Sequence, residues 1–370
     1  MTFLNKKNSA FILASELWNI GDYVLLLQTI DGLTRYCDTK SFTVATWAKP
    51  PDEIIQSLTD NNIRLISLKS FEAVFNHSSL VVFPGVQIVR DNSSISSLVL
   101  IFLSVCISKL RGANCAALAI GVSKLEKLSI RLLWRLICSF IKIVTVRDKR
   151  SRQILPHLLN NHTKLFETAD LVFYPSNLHL LLKNDLNSIA NTMVVAPCID
   201  ASENRYLSDE FIIWLSSYIV KSRQIKKVCF LAHDYRPEME LNWCNQIAKT
   251  LEKKIDCEIS VLSSTQPEFY FDVYRNAAIV ITNRLHSAVF SLIADKHVIV
   301  LDDGNQKLLG LVEDFKLPLL SQTQYSSEQI ENLLIQLETQ TELSIFIKNE
   351  LTKKAILATH SFELLKAALK

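Results

Sequence analysis

Glycine is scarce in this chain, with only seven among 370 residues. That scarcity leaves no room for a glycine-rich phosphate loop. Neither the dinucleotide-binding fingerprint nor the P-loop pattern occurs, which argues against NAD-dependent enzymes and P-loop NTPases. An excess of charge is also missing. Forty basic residues face 37 acidic ones, a net charge of +3, so no electrostatic footprint for nucleic acid is expected. Clustered cysteines are absent too. The eight stand singly (Cys37, Cys106, Cys115, Cys138, Cys198, Cys229, Cys244, Cys257), without zinc-site or thioredoxin-type spacing. They read as buried thiols in a reducing compartment, and no metal site is indicated. The segment Met1–Ala10 has no signal-peptide pattern. The longest apolar run, Ile95–Ile107, is too short and too rich in serine to span a bilayer, and reads as a buried helix. A cytoplasmic protein is therefore expected.

What is present is a regular alternation. Hydrophobic residues make up 49% and charged ones 21%, as in an ordinary globular chain long enough for two domains. Short β-branched runs alternate with helix-length amphipathic segments, the pattern of parallel sheets with crossover helices. Strands are expected at Phe11–Ser15, Phe42–Thr46, Ile63–Ser67, Leu80–Phe83, Cys115–Ile120, Ile141–Arg147 and Leu171–Tyr174. A second series follows at Met193–Ala196, Lys227–Ala232, Glu258–Leu262, Ala278–Thr282 and His297–Leu301. The polar segment Pro175–Asn191 separates the two series, and no internal repeat is found. The fold class expected is α/β, two Rossmann-like doubly wound domains facing each other across a cleft. Their bounds are 1–185 and 186–345, followed by the segment 346–370. In such sheets ligands lie outside the carboxyl ends of the strands, so the loops leaving the strands are where chemistry is sought.

Five such loops carry suitable residues. Asn19-Ile20-Gly21-Asp22 follows the first strand and opens a helix whose free N–H groups can hold an anion. Gly21 permits a close ligand approach, and Asp22 suits either helix capping or proton uptake from a hydroxyl. Thr282-Asn283-Arg284-Leu285-His286-Ser287 leaves the strand Ala278–Thr282. Here Arg284 can grip a carboxylate or phosphate through two bonds, His286 can donate a proton to the same anion, and Leu285 anchors the turn in the domain. Arg284 and His286 are accordingly expected to be open to ligand and Leu285 buried, with the Arg284 charge held for an anion and not for the core. Asp302-Asp303-Gly304-Asn305-Gln306-Lys307 offers Lys307 as a second positive charge, or a solvated turn. Val146-Arg147-Asp148-Lys149-Arg150-Ser151 presents Arg147 toward the cleft, with Asp148 capping the next helix. His233-Asp234-Tyr235-Arg236 points the same way with no diagnostic spacing. Apart from these, Leu125–Lys142 mixes basic and apolar residues as a membrane-surface helix would, through Arg131, Trp134 and Arg135. An ordinary surface helix packing one apolar face has the same pattern.

Asn19-Ile20-Gly21-Asp22, Val146-Arg147-Asp148 with Ser151, Ala169-Asp170, and Tyr274 to Lys307 with its Arg284-Leu285-His286 together resemble the polysaccharide pyruvyl transferase family. The Arg-Leu-His segment is the most specific of these, and Lys307 matches a lysine found downstream of it. Where family members often carry a glycine cluster, this chain keeps only Gly85 after Phe83-Pro84.

The resemblance implies a fold similar to the GT-B glycosyltransferases, with a C-terminal helix at 346–370 packing back on the first domain. It implies phosphoenolpyruvate as co-substrate, no cofactor, and a ketal-linked pyruvate on a sugar of a bacterial surface polysaccharide or its lipid-linked precursor. On that reading His286 and Asp22 are catalytic, and Arg284, Leu285, Lys307 and Arg147 bind the donor. Asn19, Gly21 and His233 bind the acceptor. A place at the inner face of the cytoplasmic membrane follows, with peripheral membrane contact and no nucleic-acid partner. Two rival readings stay open: a GT-B nucleotide-sugar glycosyltransferase, and a non-catalytic assembly protein.

Overall fold

The computed structural model describes residues 6–176, 191–199, 209–222, 225–302, 306–321 and 344–370. The chain divides into two compact units. One comprises Met1–Trp18, Asp22–Ser176 and Lys353–Lys370; the other comprises Asn19–Gly21 and Asn177–Thr352.

In the first unit the strands are β1 (Lys6–Leu13), β2 (Ser41–Thr46), β3 (Ile63–Ser67), β4 (Ser78–Phe83), β5 (Asn114–Ile120), β6 (Ile143–Val146) and β7 (Lys164–Glu167). They form a parallel sheet in the order β3-β2-β1-β4-β5-β6-β7. Between them run α1 (Ile20–Cys37), α2 (Asp52–Asp60), the single turn α3 (Phe71–Val74), α4 (Ile95–Leu110), α5 (Leu128–Cys138) and α6 (Lys149–Ile154). The central strands are near-continuous apolar runs, as strands covered on both faces must be. In β5 every residue from Cys115 to Ile120 is buried. Polar caps set the helix starts: Ser94 accepts from the Ser97 N–H before α4, and Asp148 accepts from Ser151 before α6.

In the second unit the strands are β8 (Thr192–Ala196), β9 (Lys227–Leu231), β10 (Glu258–Leu262), β11 (Ala277–Thr282), β12 (His297–Asp302) and β13 (Leu319–Ser321). Their order is β10-β9-β8-β11-β12-β13, again all parallel. The helices are α7 (Asp209–Lys221), α8 (Asn242–Leu251), α9 (Pro267–Arg275), α10 (Leu285–Ile293) and α11 (Gln306–Phe315). Each sheet thus reverses its winding once, between β1 and β4 and between β8 and β11. The loops after those strands are the ligand positions of a doubly wound sheet.

The last helix, α12 (Ile345–Leu369), gives its residues from Lys353 onward to the first unit. There the Phe362 ring stacks on Tyr36 and meets Tyr174 edge-on, with centroids 6.0 and 5.0 Å apart. Gly32 makes room for it, since a side chain at that position would run into the ring. The Ser361 hydroxyl donates to Thr168 Oγ1 at 2.9 Å, pinning the helix over the ends of β6 and β7.

Two expectations are corrected. Leu171–Tyr174 is no strand but a buried 3-10 turn over Leu171–Phe173, held by Asp170, whose Oδ1 accepts from the Val172 N–H at 3.0 Å. The edge strand is the more polar Lys164–Glu167. Nor is α4 buried all round, because Ile95, Val99, Leu103 and Leu110 face outward.

Candidate active site

The richest constellation lies in the second unit, at the carboxyl ends of β8 and β11. Asn283 fastens those two ends together. Its Oδ1 accepts from the Cys198 N–H at 2.6 Å and its Nδ2 donates to the Cys198 carbonyl at 3.0 Å. Thr282 adds a second tie, donating to the Ala196 carbonyl at 2.6 Å while accepting from the Arg284 N–H at 2.9 Å. This double latch fixes Arg284 as the residue immediately before α10. The helix N-terminus and the guanidinium therefore arise at one place.

Arg284 is only 8% exposed, and its Nη2 makes an ion pair with Glu240, which is 0% exposed. Glu240 belongs to a kinked π-type turn, Pro237–Leu241, broken at Met239 (φ −94°, ψ −125°). The kink turns Glu240 inward, where Oε2 also accepts from the backbone N–H groups of His233 and Asp234 at 2.9 and 3.1 Å. The other oxygen, Oε1, faces Arg284 Nη2 in the ion pair. The buried Arg284 Nε has no hydrogen-bond partner among the described residues. A guanidinium carries five donors in a fixed fork, and the Glu240 pair takes up one of its nitrogens, Nη2. The expected arrangement is corrected in two respects. Arg284 is buried while Leu285 is half-exposed, and the arginine's charge is bound into the core of this unit through Glu240.

His286 stands on the first turn of α10, half-buried, with its ring stacked toward Phe290 at 6.4 Å. Gly21 packs directly against the imidazole, and any Cβ there would overlap the ring. The Gly21 segment is anchored to the same unit by backbone. The Ile20 N–H donates to the His233 carbonyl at 3.0 Å, and Asn19 bridges Asp234. Asn19 Oδ1 accepts from the Gly21 N–H at 2.9 Å, so Asn19 takes the capping role considered for Asp22. Asp22 instead accepts from the Ser15 hydroxyl at 2.6 Å within the first unit.

His233 lies beneath this layer, 0% exposed, against Tyr270, Tyr274 and Phe290. The expectation that it touches an acceptor is corrected, since no atom of its side chain reaches the surface. Its Nε2 sits 2.6 Å from the Tyr274 hydroxyl, which donates to Ser287 at 2.7 Å. With the tyrosine proton so engaged, Nε2 is the protonated nitrogen. Burial first, then the nearby Arg284 and His286, hold the His233 pKa well below the ordinary value, so the ring is neutral. Burial likewise pushes the Tyr274 phenol well up. Beside it, Arg236 grips Asp234 through two bonds, with Nε to Oδ1 at 2.8 Å.

Arg147 closes β6 in the first unit, and its side chain is buried. Its Nη1 pairs with Asp170 at 2.8 Å and donates to the Gly85 carbonyl at 3.2 Å. The guanidinium also lies flat on Gly121, where a Cβ would come within 2.9 Å of Nη2. Arg147 was expected to offer its charge to a ligand. Its charge is neutralised by Asp170, and it clamps the turns after β4 and β5. Lys307 is placed on the first turn of α11. Asp303, Gly304 and Asn305 of its loop lie outside the described residues, as does most of the expected linker, 177–190.

Sequence reasoning missed Glu240, which follows no motif. The available signal was indirect: an arginine expected at the carboxyl end of a buried strand requires a carboxylate from a neighbouring loop.

Two doubly wound parallel-sheet units in one chain are a GT-B-like fold, and solved structures share it. HepE of Anabaena in complex with UDP is similar at 13% identity and TM-score 0.59, over 98% of this chain and 99% of that one. The UDP-GlcNAc 2-epimerase of Neisseria meningitidis bound to UDP-GlcNAc is similar at 10% identity and TM-score 0.61, over 98% and 99%. A glycosyltransferase of Rickettsia africae is similar at 11% identity and TM-score 0.58, over 99% of each chain. At these identities the likeness is one of fold. No curated protein matches the chain. The model of the polysaccharide pyruvyl transferase family matches residues 19–305, and the chain belongs to that family.

Proposed function

We propose that the protein transfers a pyruvyl group from phosphoenolpyruvate to two hydroxyls of one sugar in a bacterial surface polysaccharide or its lipid-linked precursor. The observation that carries this reading is the Arg284 guanidinium at the start of α10. It is held by Glu240, has an unpartnered Nε, and has His286 on the following turn. A fixed cation beside a helix N-terminus suits a small, highly charged anion.

In the proposed reaction His286 gives a proton to the donor's methylene carbon, which becomes a methyl group and leaves an oxocarbenium-like C2. One sugar hydroxyl bonds to C2, and its proton passes to the departing phosphate. The C2–O bond to phosphate breaks with its electron pair on the phosphate. The second hydroxyl then bonds to C2, and its proton restores the acid. Arg284 and Lys307 balance the donor's negative charge, Leu285 seats it, and preorganised charge supplies the larger share of catalysis. Asn19 and Gly21 shape the space beside His286. The likeness in fold to enzymes solved with UDP and UDP-GlcNAc supports a second reading, a nucleotide-sugar transferase. Calorimetry with phosphoenolpyruvate and UDP-glucose in parallel separates them. Binding of the first, lost in Arg284→Lys, is expected; binding of UDP-glucose alone would overturn the proposal.

A further inference from the structure

Helices α4 and α5 are neighbours in the first unit and carry a surface that the transfer reaction leaves unused. On α5 the buried side is Ile130, Trp134, Ile137 and Cys138, with Trp134 against Phe83. The opposite side bears Leu128, Leu132 and Leu136, which are 58, 51 and 50% exposed. These positions recur every four residues and form one stripe, with Arg131 and Arg135 along its edge. Trp134, expected from sequence to belong to this face, points the other way into the core.

On α4 the pattern repeats. Ile95, Val99 and Leu103 form an exposed stripe at the same spacing, while Ser104 and Ser108 are buried. Those serines are satisfied within the helix, donating to the Leu100 and Ser104 carbonyls at 2.9 and 2.6 Å. The rest of the buried side is Leu98, Ile101 and Val105, so α4 carries large apolar side chains on its outer side as well as its inner one. Single exposed leucines are ordinary, but two neighbouring stripes of large apolar side chains mark an interaction surface.

The charge of this surface selects its partner. The 16 residues of α4 and the 11 of α5 contain Lys109, Arg131 and Arg135 as their charged residues, all basic. The exposed Lys127 precedes α5, and the nearby Glu126 is already engaged by Lys124 at 3.6 Å. A second copy of this face would bring arginines against arginines. No helix among the described residues is long and apolar enough to cross a membrane. We infer that α4 and α5 dock the protein onto an anionic lipid bilayer. The leucine and isoleucine stripes enter the headgroup–acyl boundary, and the arginines meet lipid phosphates.

The test is flotation of the full chain with phosphatidylcholine vesicles, with and without phosphatidylglycerol. Flotation with the anionic vesicles, weakened by salt, is expected. Arg131→Gln with Arg135→Gln should lower partitioning about thirtyfold, roughly fivefold per charge. Leu132→Ser with Leu136→Ser should abolish it without lowering the melting temperature, because both side chains are exposed. Three outcomes overturn the inference: no flotation of the unaltered protein, flotation indifferent to the leucine pair, or a dimer in light scattering that the leucine pair dissolves. The last would make the face a protein interface. None of them bears on phosphoenolpyruvate binding, so this inference and the proposed function can fail separately.

Discussion

Replacing Arg284 by alanine should damage the second unit as well as any ligand site, and the size of the damage can be worked out. The substitution leaves the Glu240 carboxylate, 0% exposed, with just the backbone N–H groups of His233 and Asp234. Removing one partner of a buried ion pair strands the other charge and costs about 3–5 kcal/mol. At about 2–4 °C per kcal/mol for a unit of this size, the melting temperature should fall by roughly 6–20 °C. The control is Arg284→Ala combined with Glu240→Gln. Glutamine can still accept from the two N–H groups through its carbonyl but carries no charge. The double variant should therefore be more stable than Arg284→Ala alone, with a coupling of about 1–3 kcal/mol in the cycle. Glu240→Gln by itself strands the arginine, so phosphate or phosphoenolpyruvate should raise its melting temperature more than it raises that of the unaltered protein. Scanning calorimetry on the four proteins decides the matter. An Arg284→Ala variant melting within about 2 °C of the parent, or strictly additive effects in the cycle, would refute the buried-pair argument.

His286→Gln should keep donor binding by calorimetry while turnover, followed as phosphate release, falls by roughly two to four orders of magnitude. Gly21→Ala should push the imidazole aside, lowering turnover with less effect on donor affinity and costing about 1–3 kcal/mol of stability. His233 is held neutral in the fold, so below about pH 6.5 the unfolded chain binds a proton that the folded one does not, and stability falls with falling pH by about 1.4 kcal/mol per unit. His233→Gln should remove that component, visible as a shallower acid limb in urea titrations. Phe362→Ala should cost about 3–5 kcal/mol by emptying the space above Gly32, measured by denaturant unfolding.

Most of the fold was legible because buried parallel strands announce themselves. Runs such as Ala278–Thr282 and His297–Leu301 are apolar but for one terminal residue, Thr282 and His297, and the structure extends each by one residue. The signal failed where burial and strand formation part company. Leu171–Tyr174 has the composition of a strand, yet Asp170 captures the Val172 N–H and bends the chain into a 3-10 turn. Lys164–Glu167 alternates weakly, pairs with β6 at the sheet edge and packs only Leu165 against the core cluster of this unit. Helix α4 misled for a related reason: its apolar residues go all the way round, so composition cannot say that one side faces outward.

The site was legible in position but not in charge balance. Strand ends located Arg284, His286 and Arg147 correctly, because a doubly wound sheet sends its ligand loops from those ends. Which arginine keeps its charge for a ligand depends on the carboxylates that fold back upon it, and those come from distant loops. Arg147 finds Asp170, 23 residues on, and its other contacts are the Gly85 carbonyl, Gly121 and the Asp148 carboxylate at 3.9 Å. Arg284 finds Glu240, 44 positions earlier, through a kink that no periodicity announces. The difference between the two lies in what remains after pairing. Arg147 is enclosed by two carboxylates and backbone, whereas Arg284 retains a buried N–H without a partner among the described residues, at the helix start where His286 also stands. A buried, unsatisfied donor is costly to maintain, and an anion that occupies it recovers that cost on binding. Arg284 is therefore the arginine by which the donor proposal stands or falls.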